Sequence, residues 1–175
     1  PHRPFDARRG EHRTVGVATV NNVMESRDDP GFQEVMNECD LVTPDGMPLV
    51  WGLRMLSVSQ ATRVYGPELT PRLLERAAAA AVPVGFYGGS QQVIDALLEV
   101  VAERWPSLEV AYAFSPPFRA LDREEDDEVV RSIVESGARV LFVGLGCPKQ
   151  ERWMHEHRDR LPLVQIGVGA AFDFL

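Results

Sequence analysis

The chain reads as one α/β domain of Rossmann-like type, with a mostly parallel sheet and helices on both faces. Three observations predict this. Short β-rich apolar runs alternate with segments whose apolar residues recur at helical spacing, a pattern that implies parallel strands joined by crossover helices. Glycine-rich turns follow three of these runs, at Gly88-Gly89, Gly144-Leu145-Gly146 and Gly167-Val168-Gly169, where a doubly wound sheet binds its ligands. The 175 residues, 45% of them hydrophobic, suffice for one sizeable core and are too few to predict two domains.

The elements follow in order. Residues 1–13 are polar and basic, with Arg3, Arg8, Arg9 and Arg13, and read as a flexible arm or remnant; the domain proper is expected over 14–175. Residues 15–20 form a β-rich apolar run, read as a buried strand, with a polar turn expected after it. Asp29-Pro30 suits a helix start, Asp as N-cap and Pro at the first helical position, with Phe32, Val35 and Met36 on one face. Leu41-Val42 reads as a short buried strand ending in Thr43-Pro44-Asp45-Gly46, and residues 47–56 as a helix. Leu69, Leu73, Leu74, Ala77, Ala78 and Ala81 keep helical spacing before a strand at 84–87. Ser90 should cap a helix carrying Val93, Ile94, Leu97, Leu98 and Val101, ending near Trp105-Pro106. A strand at 108–113 follows. Asp122 and the acidic run 124–128 open a helix with Val129, Val130, Ile133 and Val134, negative charge suiting a helix N-terminus. A strand at 140–143, a helix at 149–158 and a strand at 163–168 complete the series.

Composition narrows the function. A formal net charge of −8 argues against a surface built to neutralise a phosphate backbone, so nucleic acid is not an expected partner. Cys39 and Cys147 lack any C-x-x-C neighbour, which suggests neither a disulfide framework nor a zinc site. His155 and His157 are two apart and cannot make the i, i+4 zinc pair of a helix. No apolar run approaches the roughly 20 residues that span a bilayer. The start at Pro1 and the end at Leu175 both read as cut. Trp51, Trp105 and Trp153 are expected in the core or at an interface.

The residues that carry chemistry fall at strand ends. Gly88, Gly89, Gly144, Gly146 and Gly169 would let a ligand approach the backbone, and amides at a following helix start bond phosphate oxygens, so a diphosphate-bearing ligand is expected. None of these glycines completes a dinucleotide or Walker fingerprint. Asp45 stands in a turn, where aspartate often bonds nearby amides; at the ligand-binding edge it is equally placed to deprotonate a hydroxyl. Lys149, Gln150 and Glu151 open a helix, Lys149 to counter phosphate charge and Gln150 to orient a hydroxyl, or simply as a polar first turn. Arg63 is placed to neutralise a leaving diphosphate.

Taken together, Thr43-Pro-Asp-Gly-Met-Pro-Leu-Val-Trp51, Arg63-Val-Tyr-Gly-Pro-Glu-Leu69, Gly144-Leu-Gly-Cys-Pro-Lys-Gln-Glu-Arg-Trp153 and Gly167-Val-Gly-Ala-Ala-Phe-Asp173 resemble the WecG/TagA/CpsF family of bacterial glycosyltransferases. The resemblance implies an inverting transfer of a sugar, from a UDP-sugar to a polyprenyl-diphosphate-linked saccharide, without an obligatory metal or other cofactor. It implies cell-wall or exopolysaccharide synthesis in the cytoplasm, peripheral to the inner face of the plasma membrane, and permits a homo-oligomer. By the same resemblance Asp45 is the catalytic base, Arg63 meets the donor diphosphate, Gln150 lines the active site and Asp173 lies near the nucleotide. The family's Thr-x-Asn falls on Val17 and Thr19 or, two residues on, on Thr19 and Asn21; Thr19 is site-lining. Ala170 stands where the family commonly has glycine, and the family's Arg-rich C-terminal segment, thought to contact membrane, is not found before Leu175. The alternative function is a nucleotide-sugar-binding module with weak or no catalysis. A nicotinamide-dependent oxidoreductase would suit the fold but lacks the dinucleotide fingerprint.

Overall fold

A computed structural model describes residues 12–174 of the chain. Six strands form one sheet in the order β2-β1-β6-β5-β3-β4: β1 Arg13–Ala18, β2 Leu41–Pro44, β3 Val84–Gly88, β4 Val110–Phe114, β5 Val140–Gly144 and β6 Val164–Gly167. Every pairing is parallel, so all carboxyl ends lie along one edge. The register is tight there, with Ala18 opposite Pro44, Gly16 opposite Gly167, and Gly88 opposite Gly144. From β1 the chain steps outward to β2, then crosses to β3 and β4 on the far side and returns through β5 to β6. The reversal puts β6 and β5 in the middle, where both strand faces are covered.

Side-chain alternation sorts the core into two layers. Val84, Phe86, Phe142, Val164 and Ile166 face helices α4 (Gly66–Ala79) and α5 (Gln91–Arg104) with the closing 3-10 turn Gly169–Phe174. Tyr87, Leu141 and Val143 point the other way, onto α6 (Arg123–Ser136) and α7 (Lys149–Glu156). Ile94, Leu97 and Val101 of α5 are all buried, each contributing about 1.5–3 kcal/mol by leaving water.

Local signals set the helix starts. Asp29 accepts from the amides of Gly31 and Phe32 ahead of α2 (Pro30–Asn37), Ser90 accepts from Val93 ahead of α5, and Asp122 forms a reciprocal capping box with Glu125 at α6. Gly137, in the left-handed region at φ +78°, ends α6. Helix α3 (Met47–Met55) follows Gly46 directly.

Five expectations change. The polar turn expected after β1 is a helix, α1 (Val20–Asp28), in which Asn22 alone is buried; Val20, Val23 and Met24 share helical spacing but are 42–49% exposed. The strand expected at 15–20 runs from Arg13 to Ala18, because Val20 already belongs to α1. Of the expected arm, 1–11 lie outside the described residues, while Arg13 opens β1 and pairs with Asp40 at 2.7 Å. β2 is an edge strand rather than a buried one, with Leu41 53% and Val42 41% exposed. Trp51 is 57% exposed, whereas Trp153 stacks between Tyr87 and His157 at 4.3 and 4.2 Å.

Candidate functional site

The turn that ends β2 presents Asp45. Its amide donates to the Ala18 carbonyl at 2.7 Å, which fixes the turn against the end of β1. Its carboxylate accepts from Arg63 Nε at 3.4 Å and from the Gly66 amide at 3.5 Å. The segment carrying both partners is tied back by Val64 N–H to the Pro44 carbonyl, at 2.9 Å. Arg63 also lies over the Tyr65 ring, 4.2 Å from its centroid. The Asp45 side chain is 16% exposed and that of Arg63 44%. A long, half-exposed ion pair of this kind contributes little to stability, so Arg63 is free to exchange Asp45 for a ligand anion.

Thr19 lies at the end of β1, one residue past the carbonyl that holds Asp45. Its amide and its hydroxyl both donate to Asn22 Oδ1, each at 2.9 Å. Asn22 Nδ2 in turn donates to Glu151 Oε1 at 2.9 Å. Glu151 Oε1 also accepts from Gln150 Nε2 at 3.2 Å, and Gln150 Oε1 accepts from the Gly169 amide at 2.8 Å. One buried polar chain therefore joins the ends of β1 and β6 through the first turn of α7.

On the other side, between β3, β5, α6 and α7, opens a cleft of about 940 Å³. Gly89, Gly144, Lys149 and Asp173, four of the residues expected to bind nucleotide, line it together. Arg119, Arg152 and Arg160 also line the cleft, but each is engaged by a carboxylate, of Glu125, Asp29 and Asp126 respectively. No carboxylate partner of Lys149 is found among the described residues. Burial, reinforced by Asp126, pushes the Tyr87 phenol up to about 12, so it lines the cleft as a neutral donor. Burial and then Glu151 push the Cys147 thiol up to about 11, which leaves it protonated and a poor nucleophile. Among the described residues no three His, Cys, Asp or Glu side chains converge as a metal site.

The expected residues thus fall in two groups on one sheet edge: Thr19, Asp45 and Arg63 beyond β1 and β2, and the cleft residues beyond β3 and β5. Gln150 belongs to neither as a lining side chain. It is 2% exposed, and its amide bonds Gly169 at one end and Glu151 at the other. The Gly169 amide is correspondingly unavailable to phosphate. The glycines separate as well. A Cβ on Gly88 would meet the Gly144 carbonyl, and one on Gly144 would lie 2.6 Å from the Phe172 ring, so the chain itself approaches both positions closely. Gly146, at φ +76°, has nothing within 4 Å of its missing Cβ and stands in open space. No local signal pairs Asn22 with Glu151, because 129 residues separate them.

A family model described as the glycosyl transferase WecG/TagA/CpsF family matches residues 5–175. The chain belongs to this family. Among characterised relatives, one from Bacillus spizizenii is 30% identical over 166 residues, covering 93% of this chain and 63% of the relative. One from Bacillus subtilis is 25% identical over 160 residues, 90% of this chain and 60% of the relative. A third, from Staphylococcus aureus, is 28% identical over 143 residues, 81% of this chain and 54% of the relative. Each of the three is an N-acetylglucosaminyldiphosphoundecaprenol N-acetyl-beta-D-mannosaminyltransferase. This WecG/TagA/CpsF chain spans only those fractions of its relatives' length. No helix among its described residues is long and apolar enough to cross a membrane.

Proposed function

We propose that this chain carries out inverting transfer of a sugar, an N-acetylhexosamine by analogy with its relatives, from a UDP-sugar to a polyprenyl-diphosphate-linked saccharide in cell-wall or exopolysaccharide synthesis. The observation that carries the reading is the setting of Asp45. It is a half-buried carboxylate held by backbone on one side and Arg63 on the other, at the edge where Thr19 and the cleft also open.

In this mechanism Asp45 takes the proton of the acceptor hydroxyl. The hydroxyl oxygen attacks the anomeric carbon from the face opposite the leaving group, the bond from that carbon to the diphosphate oxygen breaks, and UDP departs with the electron pair. General base catalysis of this type contributes on the order of 10²–10⁴-fold. Arg63, released from Asp45, and Lys149 meet the charge that develops on the diphosphate, so the step needs no metal. Asp173, exposed at the mouth of the cleft, is placed for the nucleoside. A lipid-linked acceptor requires the protein to work at the membrane surface, on the cytoplasmic face where UDP-sugars are supplied.

The test is a screen of UDP-sugars for binding and turnover with a polyprenyl-diphosphate-linked saccharide as acceptor. UDP and one N-acetylhexosamine donor should bind, with release of UDP coupled to extension of the acceptor. Absence of UDP binding, or binding of NAD in its place, overturns the proposal.

A further inference from the structure

The polar chain behind the site contains a feature that transfer chemistry does not itself require. Asn22, Gln150 and Glu151 are each 2% exposed, and a buried carboxylate between two buried amides is an unusual thing to place under a sheet edge. The orientation of both amides is decided by chemistry. A backbone N–H only donates, so the Thr19 amide selects Asn22 Oδ1 and the Gly169 amide selects Gln150 Oε1. That leaves the Asn22 and Gln150 NH₂ groups facing inward, and both converge on Glu151 Oε1 at 2.9 and 3.2 Å. An acceptor is the only group that serves both. Glu151 Oε2, by contrast, is buried without a partner, so the side chain is held in place through one oxygen.

Two consequences reach the ligand side. With Asn22 Oδ1 locked toward Thr19, the Thr19 hydroxyl donates inward at 2.9 Å and presents only lone pairs outward, so Thr19 meets substrate as an acceptor. With Gln150 Oε1 locked toward Gly169, the turn after β6 that begins Gly169–Phe174 is fixed in its left-handed conformation, φ +57°.

We propose that Asn22 and Glu151 are a positioning pair for sugar transfer: through Glu151 Oε1 they set the polarity of Thr19 on one side of the site and the geometry of the Gly169 turn on the other, without touching substrate. The proposal rests on the glycosyltransferase reading above. Coupling of this kind also distinguishes the pair from ordinary packing, because loss of the Asn22 donor alone, at constant size, should break it.

The experiment compares Glu151→Ala, Glu151→Gln and Asn22→Asp with wild type, by UDP titration, by steady-state transfer, and by amide hydrogen exchange at Thr19 and Gly169. Glu151→Gln keeps an acceptor oxygen and should retain kcat and UDP affinity within about threefold, whereas Glu151→Ala strands two buried donors and should lower kcat and weaken UDP each by about tenfold or more. Asn22→Asp opposes two carboxylates and should fall at least as far. The Gly169 amide should exchange at the wild-type rate in Glu151→Gln and about tenfold faster in Glu151→Ala. Wild-type exchange and kinetics in Glu151→Ala overturn the pair, as does a Glu151→Gln defect equal to that of Glu151→Ala, or wild-type kinetics in Asn22→Asp. If wild type neither binds UDP nor transfers sugar, the glycosyltransferase reading fails by itself, and the exchange rates still decide whether the pair locks Thr19 and Gly169.

Discussion

Gly167 allows the clearest separation between a glycine kept for a ligand and one kept for the chain. A Cβ built there would lie 2.5 Å from Gln150 Nε2, 3.0 Å from its Cδ and 3.3 Å from its Cγ. The Gln150 side chain has nowhere to retreat, since it is 2% exposed and bonded at both ends to Gly169 and Glu151. Gly167→Ala therefore forces the amide out of place. Overpacking of this sort costs about 1–3 kcal/mol, and leaving the Gly169 amide or the Glu151 carboxylate without its partner adds about 1–3 kcal/mol. The sum, about 2–6 kcal/mol, is a large part of the roughly 5–15 kcal/mol that holds a domain together. At about 2–4 °C per kcal/mol for a chain of this size, the melting temperature should fall by about 4–24 °C. Gln150→Ala removes the atoms that clash, so the double variant should be less destabilised than the two single losses together, by about 1 kcal/mol or more. Urea and thermal unfolding followed by circular dichroism measure all four corners of this cycle. A Gly167→Ala protein of wild-type stability that has lost only UDP affinity would refute the packing explanation and restore the ligand one.

Two further outcomes follow from the polar frame. Burial opposes ionisation of Asp40, but the Thr14 amide, Arg13 and Arg158 outweigh it and hold its carboxyl below the usual range. Its contribution is present in full above the unfolded carboxyl value of about 3.9 and disappears as pH falls through the lower folded value; Asp40→Asn should thus be about 1 kcal/mol less stable than wild type at pH 7, with the gap narrowing as pH falls below the unfolded value in urea titrations. Asp122→Ala removes the capping box of α6 and should cost about 1 kcal/mol, seen as a lower urea midpoint with an unchanged slope and unchanged UDP affinity.

Much of the fold was legible because its signals are local. Asp29-Pro30, Ser90 and Asp122 mark helix starts by chemistry that acts within three residues, and Ile94, Leu97 and Val101 show their shared face by spacing alone. Helix α1 has Val20, Val23 and Met24 at helical spacing yet leaves all three exposed and packs through the polar Asn22, so its apolar residues do not mark a core face. β2 was taken as buried because Leu41 and Val42 are apolar, although edge position is a property of the whole sheet. In the site, residue types were readable and their reasons were not. Gln150 has the composition of a ligand-facing side chain and the burial of a structural one, and the difference depends on Gly169 and Glu151, whose partners are set by the tertiary fold. Asp45, Arg63 and Thr19 could be placed at one edge from the strand order, yet the carbonyl of Ala18 that fixes Asp45 has no sequence signature at all.

The central claim is that Asp45 is the base for sugar transfer, and Asp45→Asn tests it most directly, since the amide is isosteric and cannot take a proton. Transfer from the preferred UDP-sugar to a polyprenyl-diphosphate-linked acceptor should drop by on the order of 10²–10⁴-fold, while calorimetric titration returns a UDP affinity close to wild type. An Asp45→Asn protein that transfers sugar at the wild-type rate would contradict the account.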